Sequence, residues 1–105
     1  MVDTSDSAPP PVFASLEDLR AEIDRIDRKI AALIGKRYVC VKEAARFKKS
    51  ERDVAAPDRV TAMLAARRQW AEQAAIDPDL IEKLYRDMLA YFIAQETEQW
   101  RSQHS

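Results

Sequence analysis

Between Pro11 and Pro57 the chain has no proline, and Gly35 is the only glycine in all 105 residues. Proline removes a backbone donor and clashes with the preceding turn, and glycine adds backbone freedom, so a stretch nearly devoid of both can stay helical for many turns. Apolar or small residues recur there at alternating steps of three and four: Leu16, Leu19, Ile23, Ile26, Ile30 and Leu33, then, past Arg37, Cys40, Ala44 and Phe47. That spacing lines one face of an α-helix. Ser15 is placed to cap it, with Glu17 and Asp18 in the first turn against the helix dipole. The pattern predicts one helix from Ser15 to about Lys49, roughly 50 Å long at 1.5 Å per residue. A compact domain of this size has a radius of gyration of about 13 Å. The helix must then project beyond its own chain's core, and its apolar stripe needs a partner.

The segment from Lys49 to Ala56 mixes charged and small residues and ends at Pro57, which disfavours helix at the residue before it and suits a first helical position itself. It reads as a loop opening a second helix. Val60, Met63, Leu64, Arg67 and Trp70 give that helix one largely apolar side, with an end near Ala75. The third start is the clearest: Asp77 as cap, Pro78 in the first turn and Asp79 beside it. Leu80, Ile81, Leu84, Met88, Leu89, Phe92 and Ile93 then form a broad apolar face running towards Trp100. No strand pattern competes. The expected fold class is all-α, one long helix and two shorter ones, with a second copy as the partner of the long helix. Residues 1–14, with Pro9, Pro10 and Pro11, read as a disordered leader, 15–101 as the helical domain and 102–105 as a tail.

Composition narrows the function. Seventeen Lys plus Arg against eighteen Asp plus Glu leave a net charge of −1, which gives no support for a nucleic-acid or anionic-membrane partner. Charges interrupt every stretch long enough to span a bilayer. The lone Cys40 excludes an intrachain disulfide and reads as a reduced, buried thiol in a cytoplasmic protein. One glycine is too few for a phosphate-cradling loop or a hairpin-rich fold. The sole histidine, His104, lies in a polar chain end where ordering it for catalysis is costly. No metal-ligand spacing and no Ser-His-Asp set is present, so no metal or cofactor is expected.

The remaining candidates are charged residues in apolar company. Arg37, Val41, Ala44 and Lys48 stand at offsets of zero, four, seven and eleven, which places them on one face if the first helix is continuous. Both cations then either snorkel to solvent, pair with protein carboxylates, or bind an anionic ligand. Arg20 lies seventeen residues before Arg37, about 25 Å along the axis, so one small ligand cannot touch both within a chain. An antiparallel copy would bring Arg20 into the partner's site. On the third helix Leu89, Ile93 and Glu96 share a face. Near a chain end Glu96 would ordinarily meet solvent or a nearby Arg, whereas in an apolar pocket its protonated form can donate a hydrogen bond. Arg59 falls in the first turn of the second helix, where a solvated cation is the ordinary expectation. Trp70 and Trp100 read as packing residues, and the basic run Lys42, Arg46, Lys48, Lys49 and Arg52, interleaved with Glu43, Glu51 and Asp53, as a solvated helix end.

The string from Leu19 to Asp27 (LRAEIDRID), followed by Arg37, by Ala45-Arg46-Phe47-Lys48 and by Pro57-Asp58-Arg59-Val60, resembles the all-helical AroQ-type chorismate mutase family, especially its isochorismate-pyruvate lyase branch. Ile93, Ala94 and Trp100 continue the likeness, which spans residues 16 to about 101. The resemblance implies an intertwined homodimer with two sites. Arg37, Lys48 and Arg59 would hold the substrate's carboxylates and ether oxygen, Arg20 would arrive from the partner chain, and Glu96 would donate to the ether oxygen. Val41 and Ile93 would complete the substrate contacts. The implied reaction is the rearrangement of chorismate to prephenate, with lysis of isochorismate to salicylate and pyruvate as the alternative. Two departures bear on that choice. Val60 stands where many mutases have Glu, favouring the lyase branch, and Glu96 stands where that lyase has Gln, favouring a mutase. A non-catalytic helical dimerisation module is the rival from another class.

Overall fold

The computed structural model describes residues 12–104, and no strand occurs among them. The elements are α1 (Leu16–Ala44), a single 3-10 turn (Ala45–Phe47), α2 (Glu51–Ala55), α3 (Pro57–Gln73) and α4 (Pro78–Gln103). Most of the leader expected over residues 1–14 lies outside the described residues. No described helix is long and apolar enough to cross a membrane. The chain divides between Val39 and Cys40 into two units.

The first unit holds α1 up to Val39. Ser15 Oγ accepts from the Asp18 amide at 3.0 Å, which satisfies one of the donors left open at a helix start. The apolar stripe is there as the periodicity predicts, yet α1 buries no residue at all. Leu16, Ile23, Ile26, Ile30 and Leu33 stand 47–62% exposed.

The second unit contains the core. Met63 and Leu64 of α3 pack with Leu89 of α4, flanked by Val60, Tyr85 and Ile93. Ala45, Val54, Ala71 and Phe92 are also buried. Both α2 and the 3-10 turn pack on α4, which is the common support of the unit. α3 closes in a Schellman arrangement: Ala75 takes the left-handed conformation at φ 58°, with Ile76 N–H donating to Ala71 O at 3.0 Å and Ala75 N–H to Glu72 O at 3.1 Å. α4 then starts where the sequence marks it, with Asp77 Oδ1 accepting from the Asp79 amide at 2.9 Å and Pro78 at the first position.

Three expectations need correction. The first helix does not continue to Lys49: it ends at Ala44, tightens into the 3-10 turn, and leaves Lys48 extended at φ −90° and ψ 143°. Ala45 is fully buried in this turn, and a tertiary contact of that kind outweighs local propensity. The segment read as a loop holds a short helix, α2, because Ser50 caps it by accepting from the Asp53 amide at 3.2 Å. Cys40 is exposed rather than buried, on a helix that buries none of its residues.

Candidate functional site

Lys48 and Glu96 meet in the second unit. Lys48 Nζ lies 3.4 Å from Glu96 Oε2, with the Glu96 side chain only 8% exposed and that of Lys48 27%. The solvent-facing reading of Glu96 is thus set aside. Its face of α4 is the core face, continuing from Leu89 and Ile93, so the helix delivers the carboxyl into apolar surroundings. Oε2 is buried and accepts no hydrogen bond, so its contact with Lys48 is an ion pair without hydrogen-bond geometry. A nearly buried carboxyl thus faces a partly exposed amine, and its Oε2 takes no hydrogen-bond donor.

Lys48 directly follows the 3-10 turn, and its extended backbone redirects the chain towards α2. Its amine also donates to the Asp53 carbonyl at 3.1 Å, and its own carbonyl accepts from Trp100 Nε1 at 2.9 Å. Asp53 Oδ2 in turn accepts from the Lys49 amide at 3.1 Å.

An open hollow of about 350 Å³ lies beside this arrangement, lined by Lys48, Arg52, Asp53, Ala56, Pro57, Asp58 and Arg59. Three cations face two acids there, so it suits an anionic small molecule. Arg59, exposed as expected, enters from the first turn of α3. Ala56, between α2 and α3, adopts φ 42° and ψ 59°, a conformation costly for a non-glycine residue ahead of proline. That backbone turns the chain sharply enough for Lys48 and Arg59 to line one hollow.

The other predicted residues are placed as follows. Val41 is half-buried on the last turns of α1, and Ile93 is half-buried against the core cluster. Arg37 is half-buried and Arg20 exposed, both on the part of α1 that belongs to the first unit. Lys48, Arg59, Ile93 and Glu96 lie in the second unit, as does Val41.

Residues the sequence reading passed over also shape the site. Asp53 was legible as the fourth residue of Ser50-Glu51-Arg52-Asp53, a capping-box spacing. Trp100, read as packing, is also a hydrogen-bond donor to Lys48 and stacks on His104 with ring centroids 4.2 Å apart. Arg101 pairs with Glu51. That hydrogen bond, aided by charge attraction, holds the Glu51 carboxyl below the usual range and raises Arg101. Trp70 is half-exposed with the Arg67 guanidinium 4.6 Å above its ring, while the same guanidinium lies 5.0 Å from the Tyr85 ring.

Comparison with known proteins places these features in a family. Residues 19–97 match the family model described as chorismate mutase type II. The chain is 43% identical over 86 residues to the isochorismate pyruvate lyase of Pseudomonas aeruginosa, covering 82% of this chain and 85% of that protein. It is 40% identical over 85 residues to the T-protein of Haemophilus influenzae and 33% identical over 88 residues to that of Enterobacter agglomerans. Those matches cover 80% and 83% of this chain but 22% and 24% of the T-proteins, of which the chain therefore spans under a quarter. A family match over most of the chain, joined to an all-helical fold, leads to one conclusion: this chain belongs to the chorismate mutase type II family.

Proposed function

We propose that the protein is a chorismate mutase, converting chorismate to prephenate by holding a compact conformer and stabilising charge that develops on the ether oxygen. The observation that carries this reading is the Lys48 amine 3.4 Å from a buried Glu96 carboxyl. A pericyclic shift needs no nucleophile or base, so catalysis rests on conformer selection and preorganised charge. Arg37 and Arg59 bind the two carboxylates, Lys48 meets the ether oxygen, and Val41 and Ile93 pack against the ring. Glu96, as the acid, donates to the same oxygen. Arg20 comes from a second copy in an intertwined homodimer, in which the uncovered stripe of α1 is buried.

Lysis of isochorismate to salicylate and pyruvate is the second reading, favoured by Val60 and by the 43% identity to an isochorismate pyruvate lyase over most of its length. Assaying chorismate and isochorismate side by side decides between them. Prephenate formed faster than salicylate upholds the mutase, and the reverse order replaces it with the lyase. Turnover of neither leaves the dimerisation module, for which the stripe of α1 suffices. Glu96→Gln keeps a hydrogen-bond donor at this position and should retain mutase activity; loss of activity in that variant would remove the donor role from the mechanism.

A further inference from the structure

The peptide unit joining Lys48 to Lys49 is tied at both of its polar groups. Its carbonyl accepts from Trp100 Nε1 at 2.9 Å, across 52 positions of sequence. Its N–H donates to Asp53 Oδ2 at 3.1 Å. One residue earlier, the Lys48 N–H donates to Ala45 O at 3.2 Å. A peptide plane held on both sides cannot rotate without breaking one tether, so the point from which the Lys48 side chain departs is fixed. That matters because a lysine has four flexible side-chain bonds and no fork to orient it. Its Nζ can stay 3.4 Å from Glu96 Oε2 only if the backbone beneath it is held still.

The end of α4 supplies the long-range part of this hold. Trp100 is half-buried and stacks on His104, whose Nδ1 lies 2.9 Å from Trp100 O, so the indole is supported from within its own helix. The next residue, Arg101, pairs with Glu51 at the start of α2. The last turns of α4 thus grip the chain at Lys48 and again at Glu51, and both gripping residues lie beyond residue 97, where the family match ends.

We infer that Trp100 is a positioning residue for Lys48: its indole N–H fixes the Lys48 main chain and so keeps the amine against Glu96. The catalytic half of this inference rests on the role proposed for Lys48 above, and the tether itself does not. Trp100→Phe keeps an aromatic ring and removes the donor. For chorismate, kcat should fall about fivefold with KM within about twofold, the size expected for one hydrogen bond acting on a transition-state group. Exchange of the Lys49 amide with solvent should quicken about fivefold, because one of the two tethers is gone. Asp53→Ala cuts the other tether at an exposed position of α2 and should lower kcat in the same way; it takes the place of Trp100→Phe should that variant not fold. Unchanged kcat, or kcat and KM moving together as in general loosening, would overturn the positioning role. Where the wild type turns over neither substrate, the proposed function fails, and the Lys49 amide still decides the tether: faster exchange upholds it and unchanged exchange overturns it.

Discussion

The two units of this chain use the same apolar periodicity and obtain opposite results. In α1 up to Val39 the stripe of Leu and Ile stays exposed, and an ion pair there, Arg25 with Glu22 at 3.0 Å, is local. From Cys40 onward the equivalent rows of α3 and α4 close on each other, and beside local pairs such as Arg86 with Glu82 there are contacts between elements: Trp100 to Lys48, Arg101 to Glu51, and Arg68 to Asp79 and Glu82. Periodicity says which face of a helix is apolar, not what covers it. Burial, and with it a dry environment able to hold Glu96, exists only where a second element answers the stripe.

The sharpest way to break this comparison is a charge in the uncovered stripe. In the homodimer proposed above, Ile30→Asp is expected to weaken association of two copies at least 100-fold, since an unpaired carboxylate in an apolar interface costs several kcal/mol. Light scattering should then give the mass of one chain where the wild type gives two; an unaltered mass would mean that the stripe faces water in solution. Leu89→Ala probes the closed side and should cost about 2–5 kcal/mol in urea unfolding, as for other truncations in a packed core. A cost below about 1 kcal/mol would make the second unit no better packed than the first.

Smaller changes sharpen the picture. Ala75 holds φ 58° at the end of α3, so Ala75→Gly should raise stability by about 0.5–1 kcal/mol by removing left-handed strain, less the extra freedom of the unfolded chain. The smallest effect belongs to the brace between Glu51 and Arg101. Arg101 holds the Glu51 carboxyl below its ordinary value of 4.5, so the folded state binds the proton less readily than the unfolded chain. Its stabilisation is present in full above that value and is lost as pH falls through the lower folded one. The stability difference between wild type and Glu51→Gln should shrink across that acid range and with added salt, and a pH-independent difference would show that the pair contributes packing alone.

Much of the architecture was legible because it is written in local chemistry. Ser15, Pro57 and the Asp77-Pro78-Asp79 start act within one turn of themselves, and the structure places helix starts at each. The end of α1 was not legible. Residues 40–49 contain neither proline nor glycine, and their pattern fits a helix as well as a turn. The break is imposed by Ala45 burying itself in a turn that packs on α4 and by a hydrogen bond from a residue 52 positions away. The α2 cap was legible in Ser50 and Asp53 but was masked by the charges around it.

An all-helical chain, the apolar faces of its helices, the cations Arg37, Lys48 and Arg59, and an acid on an apolar face at Glu96 could be read from residue order alone, because each depends on residue type and spacing of at most a few turns. That Lys48 meets Glu96, and that this carboxyl is nearly buried, was settled by packing. Those outcomes depend on which distant elements pack together, and pairwise contact across fifty residues leaves no mark in a local pattern.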